Sequence, residues 1–179
     1  AAKGGHTGTL DPLATGLLPL CFGEATKFSA DLLDADKTYE AELKLGVTTD
    51  SGDAEGQIVA TVAVDVEKES IFKALPQFIG AIQQVPPMHS ALKRNGRPLY
   101  ELARKGIEVE REPRAVTIHA IDVLSFAGDH LSLRVACSKG TYIRVLAADI
   151  GKALGCGAQL AGLRRTVVGD LDLARSVTL

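Results

Sequence analysis

The sequence predicts an α+β fold, a mixed and mainly antiparallel sheet with flanking helices. Three observations predict it. Residues 37–45 alternate between apolar and polar side chains, residues 116–136 hold two apolar segments around Ala127-Gly128-Asp129, and residues 141–154 space apolar side chains three or four positions apart. These patterns are typical of a half-buried strand, a hairpin and an amphipathic helix, in that order.

Six strands are predicted from apolar runs and alternation. They are residues 17–22, 37–45, 57–64, 116–126, 131–136 and 159–168. The strand 37–45 directs Tyr39, Ala41, Leu43 and Leu45 to one face and Glu40, Glu42 and Lys44 to the other. Residues 4–16 and 48–56 are predicted to be loops, because Gly, Thr and Asp dominate them.

Four helices are predicted from apolar spacing. They are residues 24–33, 68–78, 97–104 and 141–154. Pro76 is expected to weaken the last turn of the second helix. Gly106 and Gly155 are placed to end the third and the fourth, because glycine readily adopts the left-handed conformation that follows a helix.

The length of 179 residues predicts one domain, residues 1–179. With 46% hydrophobic and 23% charged residues, the composition excludes a disordered chain, a collagen-like repeat and a coiled coil. No apolar run approaches the ~20 residues that span a bilayer, so no transmembrane helix is expected. Trp is absent, which leaves Leu, Val, Ile and Ala to build the core. The chain starts without Met, and we expect it to be a piece of a longer protein.

Charge is distributed unevenly along the chain, although the net formal charge is only −2. Residues 24–69 carry a net −8, residues 88–114 a net +3 and residues 134–165 a net +5. If the two basic segments meet in space, they form a surface that can contact phosphates. Solvated faces of differing sign are the alternative, and charge alone favours that alternative.

The cysteines and histidines do not form a recognisable metal site. Cys21, Cys137 and Cys156 are odd in number and widely spaced, so reduced thiols in a cytosolic protein are expected. The four histidines, His6, His89, His119 and His130, never fall four residues apart. His119 lies in the middle of a predicted strand and is interpreted as a packed residue. Residues 48–56 resemble a calcium loop at first sight, but Gly52 and Ala54 stand where oxygen ligands would be needed. We interpret that segment as a solvated turn.

The segment with the clearest chemical potential is residues 4–19, GGHTGTLDPLATGLLP. Asp11 precedes Pro12, which favours an extended backbone at the aspartate. Gly8 and Gly16 bracket the segment and permit sharp turns or the close approach of a partner. The segment is therefore suited to presenting one carboxylate. The alternative is that Asp11 only starts a turn with Pro12, and composition alone does not separate the two.

Four stretches of the chain, in order, resemble the TruB-type tRNA pseudouridine synthases. The stretches are GGHTGTLDPLATGLLPLCFGEATKFS, KTYEAELKLGVTTDSGDAEGQ, PPMHSALKRNGRPLYELARKGIEVEREPR and SKGTYIRVLAADIGKALGCGAQLAGLRRT. The family isomerises uridine-55 in the TΨC loop of tRNA. The residues LATGLLP are closer to the stand-alone bacterial enzymes than to the relatives that use guide RNAs. These 179 residues do not include the family's Lys-Pro-x-Gly stretch ahead of the first motif or the C-terminal RNA-binding domain of most bacterial members, as we expect of a piece of a longer protein.

The resemblance implies a role for six residues. Asp11 matches the catalytic aspartate, Arg144 the arginine that pairs with it, and Tyr39 the tyrosine that stacks on the target base and helps to remove the C5 proton. Tyr142 and Leu163 match positions that line the uridine pocket, and His6 matches the histidine that holds the T-loop. Taken without the resemblance, Tyr39 would be interpreted as a core aromatic, Arg144 as a surface residue and Leu163 as core.

The implied chemistry is physically consistent. A base inside a folded RNA loop reacts only after it is flipped out, and an aromatic face can hold it. A nucleophilic carboxylate must be ionised, and an arginine partner keeps it so. The resemblance implies an isomerase with no cofactor and no metal. It also implies a T-stem-loop of tRNA as partner, no membrane, no obligatory protein partner, a monomer and a cytoplasmic location. The alternatives are a non-catalytic tRNA-binding or tRNA-folding module and a guide-RNA-dependent synthase subunit.

Overall fold

The computed structural model describes residues 3–94 and 96–178, and of Arg94 it describes the backbone alone. The expectation about the two ends of the chain, and the charge of Arg94 in the basic segment 88–114, therefore lie outside the described residues.

The chain forms short and long strands with helices between them. The strands are β1 (Gly4–His6), β2 (Ala14–Gly16), β3 (Leu20–Phe22), β4 (Lys37–Leu45), β5 (Val47–Thr49), β6 (Ile58–Thr61), β7 (Gly80–Gln84), β8 (Lys93–Arg94), β9 (Arg97–Pro98), β10 (Arg114–Ala127), β11 (His130–Cys137), β12 (Ala158–Val168) and β13 (Leu171–Asp172). The α-helices are α1 (Ser29–Asp34), α2 (Lys68–Ala74), α3 (Leu99–Ala103) and α4 (Ile143–Ala153). Short 3-10 helices cover Gly23–Phe28, Leu75–Phe78 and Leu173–Arg175.

One seven-stranded sheet organises the fold, in the order β13-β12-β4-β11-β10-β7, with β2 added beside β12. Its pairings are antiparallel except for β2, which runs parallel to β12. The predicted α+β class with a mainly antiparallel sheet is confirmed. Strand β4 has the predicted bounds, because its alternating side chains bury one face against the core.

Helix α4 covers the buried face of this sheet. Its buried side chains include Ile143, Leu146, Ala147 and Ile150, which pack with Leu43 of β4 and other strand residues in one cluster. The predicted spacing of apolar residues over 141–154 is thus confirmed, with shorter helix bounds. Leu, Val, Ile and Ala dominate the core as expected, and the three cysteines are buried and free.

Two predicted segments differ in detail, and a strand of the main sheet was not predicted. Residues 4–16 contain the short strands β1 and β2 in addition to turns, because β3 and β12 supply pairing partners from elsewhere in the chain. The predicted strand 57–64 is reduced to β6, whose four residues are exposed. Strand β7 was not predicted, since its one buried residue is a glutamine and its pattern is not apolar.

Two helix predictions and one histidine also need correction. Residues 24–33 form a 3-10 turn followed by α1, and neither piece buries a residue; Phe28, expected on the apolar face, is 64% exposed. The predicted helix 97–104 is shorter, because β9 occupies its first two residues. His119 is not packed: its side chain is 43% exposed and its Nε2 lies 3.0 Å from a carboxylate oxygen of Asp36.

No helix in the described parts of the chain combines the length and the apolar character that a bilayer crossing needs.

Candidate active site

Asp11 begins a tight turn at the tip of the loop that joins β1 to β2. The Ala14 amide donates to the Asp11 carbonyl oxygen at 2.8 Å, which closes a four-residue turn with Pro12 in its second position, where the fixed φ of proline is favourable. The aspartate therefore starts a turn, as the simpler interpretation held. Its carboxylate, one-third exposed, is also held by a partner from the far end of the chain.

That partner is Arg144, in the first turn of α4. Its Nε donates to Asp11 Oδ2 at 2.8 Å and its Nη2 donates to Asp11 Oδ1 at 3.2 Å. The Arg144 side chain is only 4% exposed, so the interpretation of Arg144 as a surface residue is wrong. A two-point contact of this kind fixes the orientation of the carboxylate plane as well as its position.

The remaining donors of Arg144 are directed at other loops. Nη2 also donates to the His89 carbonyl oxygen at 2.7 Å, and Nη1 donates to the Ser51 carbonyl oxygen at 3.4 Å. Nη1 further lies 3.5 Å from Oδ2 of Asp53. The guanidinium thus joins two further segments of chain, the turn at Ser51 and Asp53 and the segment at His89, to the Asp11 turn.

Asp53 is a site residue that the sequence did not reveal. Segment 48–56 was interpreted as a solvated turn, but Asp53 is 4% exposed and its Oδ1 accepts hydrogen bonds from the Ser51 hydroxyl at 2.6 Å and the Glu55 amide at 3.1 Å. The turn is held against β12, because Leu160 exchanges backbone hydrogen bonds with Gly52 and Ala54. Burial beside Arg144 is what makes this carboxylate part of the site.

The base of the Asp11 loop is anchored by Arg165 of β12. This side chain is 2% exposed; its Nε donates to the Leu17 carbonyl oxygen at 2.8 Å and its Nη2 to the Gly8 carbonyl oxygen at 3.1 Å. Both carbonyls flank the segment that carries Asp11. Gly16 crosses the Arg165 backbone closely and adopts φ +102, a conformation that favours glycine.

Two tyrosines lie within electrostatic reach of Asp11. Burial raises the pKa of Tyr39, the Arg165 guanidinium lowers it, and the Asp11 carboxylate raises it again. Burial also raises the pKa of Tyr142, and the Asp11 charge acts in the same direction. Both phenols are therefore neutral at physiological pH and can donate hydrogen bonds or offer a ring face.

Leu163 and His6 occupy different surroundings. Leu163 is buried in the core and is paired in register with Ala14 of β2, next to the Asp11 turn. His6 is exposed in β1 and is paired with Leu20 of β3. The structure thus joins Asp11 directly to Arg144, and the Asp11 charge acts on the pKa of Tyr39 and of Tyr142. Leu163 lies on β12 beside β2, and His6 lies on β1.

The basic segments divide between buried and exposed positions. Arg144 and Arg165, counted in segment 134–165, are buried in the site and do not contribute to a basic face. Segment 88–114 begins at His89, which contacts Arg144, and continues into β8, β9 and α3. Its exposed cations are Lys93, Arg97, Arg104, Lys105 and Arg114. We call residues 93–105 the basic arm.

An open cleft of about 420 Å³ lies between the start of the basic arm and the segment that follows it. Its lining residues are Pro86, Leu92, Lys93, Leu99, Glu110, Arg111, Glu112, Pro113 and Arg114. None of the six residues predicted for the site lines this cleft, so it is separate from the Asp11 carboxylate.

The arrangement can support nucleophilic chemistry by a carboxylate. Asp11 is held by a two-point contact with a guanidinium, is one-third exposed, and its charge acts on two phenols that burial keeps neutral. Among the described residues, no group of three or more His, Cys, Asp or Glu side chains is arranged to hold a metal ion.

Comparison with known proteins agrees with this chemistry. Residues 1–143 match the family model described as the TruB family pseudouridylate synthase N-terminal domain. Residues 144–179 match the tRNA pseudouridylate synthase B C-terminal domain. The boundary between the two matches falls inside α4, between Ile143 and Arg144, so Arg144 is the first residue of the second match.

Individual relatives show the same similarity. Over its whole length, the chain is 83% identical to a tRNA pseudouridine synthase B from Dechloromonas aromatica and 66% identical to one from Azoarcus sp.. Each of these alignments covers 60% of the relative's own length. The chain thus spans about three-fifths of the length of these curated relatives. A solved structure described as a Cbf5-Nop10-Gar1 complex matches 95% of this chain and 41% of its own, with a TM-score of 0.72 and 34% identity.

Proposed function

The chain belongs to the TruB family of pseudouridylate synthases, and from that membership we propose that it is the catalytic part of a tRNA pseudouridine synthase acting on uridine-55 of the TΨC loop. The two-point ion pair between Asp11 and Arg144 carries the proposal, because a module that only binds or folds RNA has no need of a buried arginine that orients one carboxylate. The names of the relatives support tRNA as the substrate.

In the proposed reaction, the Asp11 carboxylate attacks C1′ of the flipped uridine and forms an ester bond while the bond between N1 of the base and C1′ breaks. The freed base rotates, C5 bonds to C1′, and the ester bond breaks, which restores the Asp11 carboxylate. C5 loses its proton and N1 gains one, so atoms and electrons balance within the nucleotide. We therefore propose no cofactor and no metal. Arg144 orients the Asp11 carboxylate for the attack through its two-point contact.

For the other predicted residues we propose the roles that the family resemblance implies. Tyr39 stacks on the flipped base and helps to remove the C5 proton, and Tyr142 and Leu163 line the pocket. A phenol whose pKa is raised by burial stays neutral, which suits a stacking face better than a charged one. His6, exposed on β1, contacts the T-loop from outside the pocket.

The basic arm gives the RNA backbone a place to bind. It starts four residues after His89, whose carbonyl oxygen contacts Arg144, and its exposed cations can neutralise phosphates while the base enters the pocket. We propose that residues 1–179 act as one domain, because the main sheet combines strands from both matched regions. We also propose a cytoplasmic monomer that needs no protein partner.

The proposal is tested with T-stem-loop RNA labelled with tritium at C5 of uridine, because formation of pseudouridine releases this label into water. Wild-type chain is expected to release one equivalent, and RNA with cytidine at the target position is the control. No release, with RNA still bound, would favour the non-catalytic module. Release only in the presence of a guide RNA and partner proteins would favour the guide-dependent synthase.

A further inference from the structure

Gln84 is a buried polar residue to which neither the sequence motifs nor the proposed chemistry assigns a task. It is the last residue of β7, the edge strand of the main sheet, and it is 1% exposed. Its Oε1 accepts from the Tyr142 amide at 2.9 Å, and its Nε2 donates to the Tyr142 carbonyl oxygen at 3.2 Å. One side chain thus satisfies both backbone polar groups of a residue 58 positions away.

The residue that Gln84 holds is the one from which α4 starts. Tyr142 has an extended backbone and caps the helix, no side-chain cap bond is present, and its carbonyl oxygen also accepts the first helical hydrogen bond, from the Leu146 amide at 3.1 Å. Buried backbone groups without partners are costly. The Gln84 amide therefore fixes both the position and the direction of the first turn of α4.

A second contact from the same segment holds the same turn. The His89 carbonyl oxygen accepts from Arg144 Nη2 at 2.7 Å, and Pro86 and Pro87 lie between the two contact points. Proline fixes φ, so this connection is stiff. We call residues 84–89 the brace. The brace forms hydrogen bonds with the backbone of Tyr142 and with the guanidinium of Arg144, two residues further along the chain.

We propose that Gln84 is a positioning residue for the pair of Asp11 and Arg144, a role that rests on the proposed function for its catalytic consequence. Arg144 meets both oxygens of Asp11 at once, and this two-point contact is lost if the helix start shifts or turns slightly. Small displacements of positioned groups cost large factors in rate. Tyr142 would be displaced by the same movement.

The test compares Gln84→Leu with Gln83→Leu, its neighbour of the same type on β7, which is exposed. For Gln84→Leu, the single-turnover rate of tritium release at saturating T-stem-loop RNA is expected to fall at least tenfold, while the Kd for the RNA changes less than twofold. Gln83→Leu is expected to match wild type in both. A wild-type rate for Gln84→Leu, or a loss confined to RNA affinity, would overturn the proposal.

Gln84→Glu provides a readout that a general loss of stability would not produce. A protonated carboxyl group can donate to the Tyr142 carbonyl oxygen and accept from the Tyr142 amide, as the Gln84 amide does, whereas the ionised form has no donor to offer that carbonyl oxygen. Burial raises the pKa of a carboxyl group. The rate of this variant relative to wild type is therefore expected to rise as the pH falls from 8 to 6, with thermal melts confirming a folded protein. A ratio independent of pH would count against the brace.

Amide hydrogen exchange separates failure of the brace from failure of the proposed function. In Gln84→Leu without RNA, exchange at the Tyr142 amide is expected to accelerate at least tenfold, while exchange at the Ile150 amide within α4 stays near wild type. Unchanged exchange at Tyr142 would refute the brace whatever the activity. Accelerated exchange in a protein whose wild type releases no tritium would instead refute the proposed function.

Discussion

Gly16 passes so close to β12 that a Cβ at this position would lie 2.2 Å from the Arg165 carbonyl oxygen and 2.8 Å from the Arg165 amide nitrogen. The obstacle is backbone in a paired strand and cannot move aside. The absence of a side chain at Gly16 is thus what allows β2 to pair with β12 and carry the Asp11 loop.

Gly16→Ala is expected to displace the Asp11 loop, because the methyl group clashes with Arg165 and alanine is strained at φ +102. We expect the free energy of unfolding to fall by about 2 kcal/mol or more, as steric and backbone strain terms of this kind usually cost. Denaturant titration measures the change. Gly5→Ala, where a Cβ meets nothing within 4 Å, is the matched control.

Asp11→Asn is expected to lower pseudouridine formation by several orders of magnitude, since an amide is not a nucleophile and single removals of a nucleophile have effects of that size. Fold and RNA binding are expected to persist, because the amide oxygen still accepts from Arg144. Tritium release and a melting curve measure the two effects. Asp170→Asn, at an exposed turn, should behave as wild type. Equal turnover by Asp11→Asn would remove Asp11 from the mechanism.

Asp53→Asn is expected to destabilise the protein by about 1–3 kcal/mol, the range for weakening a buried charged hydrogen-bond partner. Activity should also fall, because the Arg144 guanidinium loses the negative charge that lies beside its Nη1. Glu55→Gln removes the same charge from an exposed position of the same turn and serves as the control. If the two variants are equally stable and active, Asp53 is only a turn residue.

Tyr39→Leu is expected to lower turnover by about 5- to 150-fold, which corresponds to the loss of one stacked base at about 1–3 kcal/mol. Tyr39→Phe keeps the ring and removes the hydroxyl, so its rate reports the contribution of the phenol to proton removal. Since burial raises the Tyr39 pKa, no ionisation of this phenol is expected in the rate profile between pH 6 and 9. A rate near wild type for Tyr39→Leu would show that Tyr39 is a core residue with no role in the reaction.

Cys137 makes the free energy of unfolding depend on pH in the alkaline range. Burial raises the pKa of its thiol from 9.0 to about 11, so the folded state keeps a proton that the unfolded state releases. The contribution of the protonated Cys137 thiol to the free energy of unfolding is complete below pH 9. It is lost as the pH rises from 9 to 11, and the total loss is about 2–3 kcal/mol. Unfolding free energies of wild type and Cys137→Ala, measured across that interval, should therefore converge as pH rises. A constant difference would contradict the assignment.

Local pattern predicted the elements whose side chains meet the core in a regular way. Strand β4 was predicted with its observed bounds, because alternation at Tyr39, Ala41, Leu43 and Leu45 reflects a face that is buried along its whole length. The β10–β11 hairpin and α4 were predicted for the same reason. In the site, the resemblance of the motifs singled out Asp11 and Arg144, and the structure places them in contact.

Residues that depend on distant partners were not predictable in this way. Asp53 looks like a solvated turn residue in sequence, because the arginine that makes its burial favourable is 91 positions further along. Gln84 belongs to a strand with no apolar alternation, and its partner, the Tyr142 backbone, has no sequence signature. The paired Ser51 and Asp53 side chains offered a weak signal, since short polar residues around Gly often fold back on their own turn.

The position of Arg144 in the second residue of α4 has an evolutionary consequence. The two regions matched by family descriptions join at this helix, so a crossover between the genes of two relatives at that junction would take Asp11 from one parent and Arg144 from the other. A hybrid protein would have a working site only if α4 has the same orientation in both parent proteins. The junction is thus a poor place for natural or laboratory recombination.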